Sequence, residues 1–150
     1  MKLSKRFMSA LLLAGAATGA GAADGLSVLP SGYDVPTTMD RLVSAVEGAG
    51  MRVFARVDHA AGAAKVEQTL RPTQVLIFGN PKGGTPFMQC AQTVGIDLPL
   101  KMLAWEDEAG RTWLGYNEPA YIAERHGVET CKVVPNIAKA LAGFAEKATR

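Results

Sequence analysis

The sequence predicts an α+β domain in which a mostly antiparallel sheet packs against helices gathered chiefly on one face. Three observations carry that expectation. Residues 99–106 (PLKMLAWE) and 111–116 (RTWLGY) flank the polar turn Asp107-Glu108-Ala109-Gly110, the pattern of an antiparallel hairpin. Residues 73–78 (TQVLIF) form an apolar, β-branched run of the kind that fills a buried central strand. Stretches at 37–49 and 136–148 each place apolar residues on one helical stripe, so each needs a surface to cover. Strand–helix alternation stops at the hairpin, which leaves a doubly wound α/β sheet as the alternative.

At the amino terminus, Lys2, Lys5 and Arg6 precede an apolar stretch from Phe7 to about Ala17, followed by small residues. This is the layout of a secretory signal peptide, and the Ala20-Gly21-Ala22 spacing places cleavage after Ala22, with Ala23 as the neighbouring choice. The stretch is shorter than the ~20 residues a membrane-spanning helix needs, and no later segment reaches that length. One domain over residues 23–150 is therefore expected, periplasmic or secreted, with no membrane insertion after cleavage.

Residues 26–33 (LSVLPSGY) read as a strand that Pro30 confines to a sheet edge. Met39, Leu42, Val43 and Val46 recur at helical spacing, Thr37 and Asp40 make a capping-box pair, and Gly50 supplies the stop of a helix over 37–49. Residues 52–58 (RVFARVD) alternate, with Val53, Ala55 and Val57 on one face. The small-residue stretch 59–67 reads as a short helix ended before Pro72. After a glycine-rich loop, Thr85 can cap a helix that has Pro86 at its first position and Gly95 at its end. Helices over 119–126 and 136–148 follow the hairpin, the last with Asn136 as N-cap and Ile137, Ala140, Leu141 and Phe144 on its core stripe.

Charge narrows the function. Three of the 16 Lys and Arg residues lie in the leader and all 14 acidic residues lie after it, so the remaining chain carries 13 basic groups against 14 acidic ones. A surface near neutrality, with no basic run interleaved with aromatics, argues against nucleic acid and against an anionic membrane surface. Cys90 and Cys131 lie 41 residues apart in a compartment that permits disulfides. They can pair, or Cys90 can sit as a small buried hydrophobe beside Phe87, Ala91 and Val94; the sequence leaves both open.

The segment Gly79-Asn80-Pro81-Lys82-Gly83-Gly84-Thr85 stands between a buried strand and a helix start, where free N–H groups and the helix dipole favour an anion. It is not a Walker A loop, because Lys82 falls inside the loop and Thr85 follows Gly84 directly. The alternative is a turn that only reverses the chain. His59, with Asp58 beside it, is a candidate acid or base at a strand-to-helix junction, or else the pair caps the next helix. Arg71 and Asp97 are candidate ligand contacts with turn and salt-bridge roles as alternatives. His59, His126, Cys90, Cys131 and the six methionines form no pair at metal-ligand spacing, so neither metal nor cofactor is expected. No base stands near Cys90 and no Gly-x-Ser-x-Gly elbow occurs. Trp105 and Trp113 lie on opposing hairpin strands, as cross-strand core partners or as part of an apolar pocket or dimer face.

The strings MDRLVSAVEGAGMRVFARVDHAAGA, LRPTQVLIFGNPKGGTPFMQ and GIDLPLKMLAWEDEAGRTWLGYNEPAYIAERHG, from about Met39 to Gly127, resemble the domain-of-unknown-function family 302. The GNP-x-x-GTP, IDLPLK and ED-x-x-G segments carry that resemblance. It implies a compact α+β domain of the TATA-binding-protein-like class and self-association, and brings no established activity. Phe87 stands where the family more often has leucine, and the segment with Cys131 lies outside the shared pattern. The leading expectation is an exported, non-catalytic homodimer holding an unidentified small polar or anionic molecule at Asn80, Lys82, Gly83, Gly84 and Thr85, with His59, Arg71 and Asp97 nearby. The rivals are an enzyme using His59 as acid or base, and a structural or interaction protein whose motifs specify only fold and dimer.

Overall fold

The computed structural model describes residues 23–150; the expected leader lies outside the described residues. The elements are β1 (Leu26–Pro30), α1 (Val35–Gly48), β2 (Arg52–Asp58), α2 (His59–Ala64), β3 (Thr73–Gly79), α3 (Pro81–Cys90), a 3-10 turn (Gln92–Ile96), β4 (Leu100–Glu106), β5 (Thr112–Asn117), α4 (Pro119–Arg125) and α5 (Val134–Thr149). The strands form one sheet in the order β1-β5-β4-β3-β2, with every pair of neighbours antiparallel. That arrangement is α+β and removes the doubly wound alternative, which needs parallel neighbours. β3 is an interior strand as expected, while β4 takes the centre.

One sheet face is the core. Leu76, Phe78, Met102, Ala104 and Leu114 are fully buried on it, against Met39, Leu42 and Val46 of α1 and Leu141 and Phe144 of α5. Phe78 meets Phe144 edge to face at 6.0 Å between ring centres. Burying each large side chain contributes about 1.5–3 kcal/mol, so contact with the sheet rather than local propensity holds the two helices.

The other face is also apolar but half-buried. Strand register lines up Val57, Val75, Leu103, Gly115 and Val28 in one row across all five strands, and pairs Trp105 with Trp113 in the next. None of these residues belongs to the core cluster. The tryptophans are therefore cross-strand partners, as the spacing implies, but on the face away from the helices instead of in the core. A Cβ on Gly115 would lie 3.0 Å from the Trp105 ring, so only glycine lets that indole lie across the strand.

Several boundaries move for local reasons. Asp34, not Thr37, caps α1: its Oδ1 accepts the Thr37 N–H at 2.8 Å. Asp40 is thereby released from the expected capping box and pairs with Arg56. The alternation read over β2 is broken by a bulge between Val53 and Ala55, which inserts Phe54 as an extra residue. Val53 then faces the core while Ala55 and Val57 face the open side. α5 begins at Val134, and Pro135 and Asn136 lie in its first turn, so Asn136 is not the cap. Cys90 and Cys131 are bonded, with Cα atoms 6.1 Å apart, tying the end of α3 to the segment that enters α5. Cys90 is exposed, so its reading as a buried free thiol falls.

Asp107 holds the hairpin turn. Its carboxylate accepts from the Trp113 indole at 2.8 Å and from the Arg111 backbone, the Arg111 guanidinium and the Ala109 backbone, each at 2.9 Å. The Trp113 donor, followed by the Arg111 backbone N–H, lowers its pKa from 3.8 to about 2. A lowered folded-state pKa adds stability that is present above the unfolded value and is lost as pH falls through the folded one. Asp107→Asn is therefore expected to flatten the acid side of a melting-temperature profile between pH 3.8 and about 2. An unchanged profile there would mean the turn opens before the carboxylate protonates.

Candidate functional site: a cavity between α3 and α5

The glycine-rich segment expected as a loop is the opening of a helix. Asn80 caps α3: its Oδ1 accepts the Lys82 N–H at 2.8 Å and its carbonyl accepts the N–H groups of Gly83 and Gly84 at 3.0 Å. Pro81, in the first turn, has no N–H to offer. The Asn80 amide also donates to the Gly50 carbonyl at 2.9 Å, which anchors the start of α3 to the turn between α1 and β2. The expected cradle of free N–H groups is therefore already filled by the chain itself. Thr85 is not a cap, and Pro86 lies inside the helix.

This end of the sheet holds a cavity of about 640 Å³ between α3 and α5, over the end of β3 and the start of β4. Its floor is the core itself, through Ile137, Leu141 and Phe144 of α5. Met51, Phe54, Met88, Leu98 and Leu100 supply apolar walls. Lys82, Thr85 and Asn136 are exposed at the mouth, and among the described residues their side chains make no hydrogen bond. Among the described residues Lys82 is the sole ionisable side chain in the lining, and no Asp or Glu belongs to it. A more open hollow of about 540 Å³ beside α1 is lined instead by Asp40, Arg41 and Lys147, and it has no comparable apolar floor. Asp40 there is paired with Arg56, and Arg41 donates to the carbonyls of Lys147 and Ala148.

The residues expected to converge do not. Asp58 caps α2, with Oδ1 accepting the Ala61 N–H at 2.8 Å and Oδ2 accepting the Gln74 amide at 3.2 Å, and His59 is the exposed first residue of that helix. Arg71 donates to the Glu106 carbonyl at 3.2 Å and so ties down the hairpin. All three stand at the opposite end of β3 from Asn80, roughly 20 Å away at ~3.4 Å per strand residue. Asp97 lies near the cavity, but both of its oxygens are taken, by Arg125 at 3.0 Å and by His126 at 2.7 Å. His126 in turn meets the Thr93 hydroxyl at 2.9 Å, which ties the end of α4 to the 3-10 turn. Among the described residues no group of three or more His, Cys, Asp or Glu side chains gathers where it could hold a metal ion.

Of the cavity residues, sequence reasoning identified the α3 side and missed the rest. Phe54 arrives through the bulge and Asn136 through the early start of α5. An aromatic between Arg52 and Arg56 in an alternating strand was the one local sign of the first. A Cβ built on Gly83 meets nothing within 4 Å, so Gly83→Ala is expected to stabilise α3. The gain should be about 0.5–1 kcal/mol in urea unfolding. A loss would show that the first turn is strained.

These features define a class: a small α+β domain with a single antiparallel sheet, one bare apolar face and a ligand-sized cavity at one sheet end. The chain belongs to the family described as "Domain of unknown function DUF302", whose model matches residues 28–144. That span exceeds the stretch carrying the quoted motifs and takes in Cys131. The fold is similar to the crystal structure of an uncharacterized conserved protein DUF302 from Bacillus stearothermophilus, with a TM-score of 0.77 and 18% identity, covering 85% of this chain and 100% of that one. In sequence the chain is 46% identical over 104 residues to the fluoride-specific ion channel FluC 1 of Brucella suis biovar 1 and to its namesake in Brucella abortus biovar 1. The match takes in 69% of this chain but only 41% and 38% of those proteins. Among the described residues no helix is long and apolar enough to cross a membrane.

Proposed function

We propose that the chain is an exported, non-catalytic module that binds a small molecule in the cavity between α3 and α5 and acts as a homodimer. The cavity carries the reading. Its volume of about 640 Å³ falls in the range of small-molecule sites, and such sites combine apolar walls with a few placed polar groups. Polar recognition falls to side chains at the mouth, because the α3 backbone donors are spent on Asn80. The enzyme reading is disfavoured: among the described residues Lys82 is the sole titratable group in the lining, and His59 stands at the far end of the sheet.

Self-association is favoured by the open sheet face, a contiguous apolar surface of the kind that marks interfaces. The likeness to proteins named as fluoride-specific ion channels supports a narrower point, that a module of this kind works beside membrane transport. Fluoride is a poor fit for this cavity, since a small hydrated anion would exchange its water for side-chain carbon.

Native mass spectrometry of protein purified from its export compartment tests the reading, because one sample gives the mature mass, the disulfide, the oligomer and any passenger. A dimer carrying a reproducible small-molecule mass is expected. An empty monomer that also fails a ligand screen would end the proposal.

A further inference from the structure

Resting on the reading of this cavity as a ligand site, we infer that its ligand is an amphipathic monoanion: a carboxylate head held at Lys82 and an apolar body laid along α5. The charge inventory sets the head group. Among the described residues the lining carries one ionisable side chain, Lys82, and no carboxylate. No acidic side chain lies within 4.0 Å of the Lys82 ammonium among the described residues, so its charge is not already spent on an ion pair. An ammonium offers three donors and no acceptor. Thr85, three residues on along α3, and Asn136, in the first turn of α5, line the same cavity, and among the described residues neither side chain makes a hydrogen bond. The lining thus offers an ammonium, a hydroxyl and an amide as donors, the groups a carboxylate accepts from.

The same inventory excludes neighbours of that class. A dianion would bring a second charge for which the lining has no cation. An α-amino acid would bring an ammonium for which it has no anion, and which Lys82 repels. The body is set by what lies beneath. Ile137, Leu141 and Phe144 form an unbroken apolar floor, while Met51 and Met88 are flexible enough to follow bodies of different shape. Gly83 and Gly84 put no side chain between Lys82 and Thr85, so the head can approach the helix closely.

Titration calorimetry on the mature disulfide-bonded protein, with decanoate, decan-1-ol and decylammonium kept below aggregating concentrations, separates the charge from the chain. Decanoate is expected to bind most tightly. Lys82→Met removes the charge while keeping the length, and should weaken decanoate about tenfold or more while leaving decan-1-ol within about twofold. Ala140→Phe, which fills the cavity from α5, should abolish both. Decanoate binding that ignores Lys82→Met, or decylammonium binding as tightly, overturns the monoanion assignment and leaves the cavity reading standing. Binding that survives Ala140→Phe places the probe elsewhere and overturns the inference. Failure of all three probes to bind overturns the inference, while the cavity reading falls only if the native protein is also empty and fails the ligand screen.

Discussion

Opening the Cys90–Cys131 bond should lower the unfolding free energy by about 4 kcal/mol, the chain-entropy value for a loop of this length. The separation of 41 residues makes the bridge an effective restraint on the unfolded chain. On the native side the bond acts where α3 is poorly held. Phe87 is the one buried residue of that helix, and Pro86 costs it an internal hydrogen bond. The bridge joins the end of α3 to the entry of α5, the two helices that wall the cavity, so reduction should also weaken ligand binding. Urea unfolding of oxidised, reduced and Cys90→Ala/Cys131→Ala protein measures the first effect. Because the double variant cannot re-form the bond, it should match the reduced protein. A difference below about 1 kcal/mol would mean that Phe87 and the Asn80 cap suffice to hold α3 and that the bridge adds little.

Phe144→Ala is expected to cost about 3–5 kcal/mol, the range for deleting a buried aromatic ring. Phe144 is 6% exposed and sits edge-on to Phe78, so its loss removes a layer that joins α5 to the sheet. It also lines the cavity floor, and deletion merges the vacated space with the cavity instead of letting the core close over it. The variant should therefore unfold at lower urea and accept bulkier apolar probes than the parent. A cost nearer 1 kcal/mol would show that α5 shifts to refill the space and that the floor is soft.

How much of this was legible depended on how local each cause was. The hairpin could be read because Asp107 and Gly110 mark the turn and alternating residues flank it; the structure adds that Gly110 has φ +73°. The 52–58 strand was legible in extent but not in facing, since the bulge at Phe54 answers to its pairing with β3 and its one local sign is the aromatic itself. The start of α3 was written in Asn80-Pro81, a cap followed by a first-turn proline, and was outweighed by the glycines that follow. The cavity was legible on one side only, because its floor comes from α5, some fifty residues later in the chain. The separation of Arg71 from Lys82 was legible, because the 73–78 strand lies between them, whereas the place of His59 turns on which ends of β2 and β3 coincide.

The bulge has one further consequence. β1 and β2 are the two rims of the sheet, and neither is a clean template for another strand: Pro30 lacks a donor on one, and the kink at Phe54, with Arg52 and Arg56 beside it, disrupts the other. Copies of this chain are thus steered away from zipping side by side into an open ribbon. Among the described residues the broad face with Trp105 and Trp113 is the contiguous apolar surface left open, and each molecule has one such face. Were two copies to stack through it, neither would keep an equivalent surface for a third, and growth would stop at a closed pair.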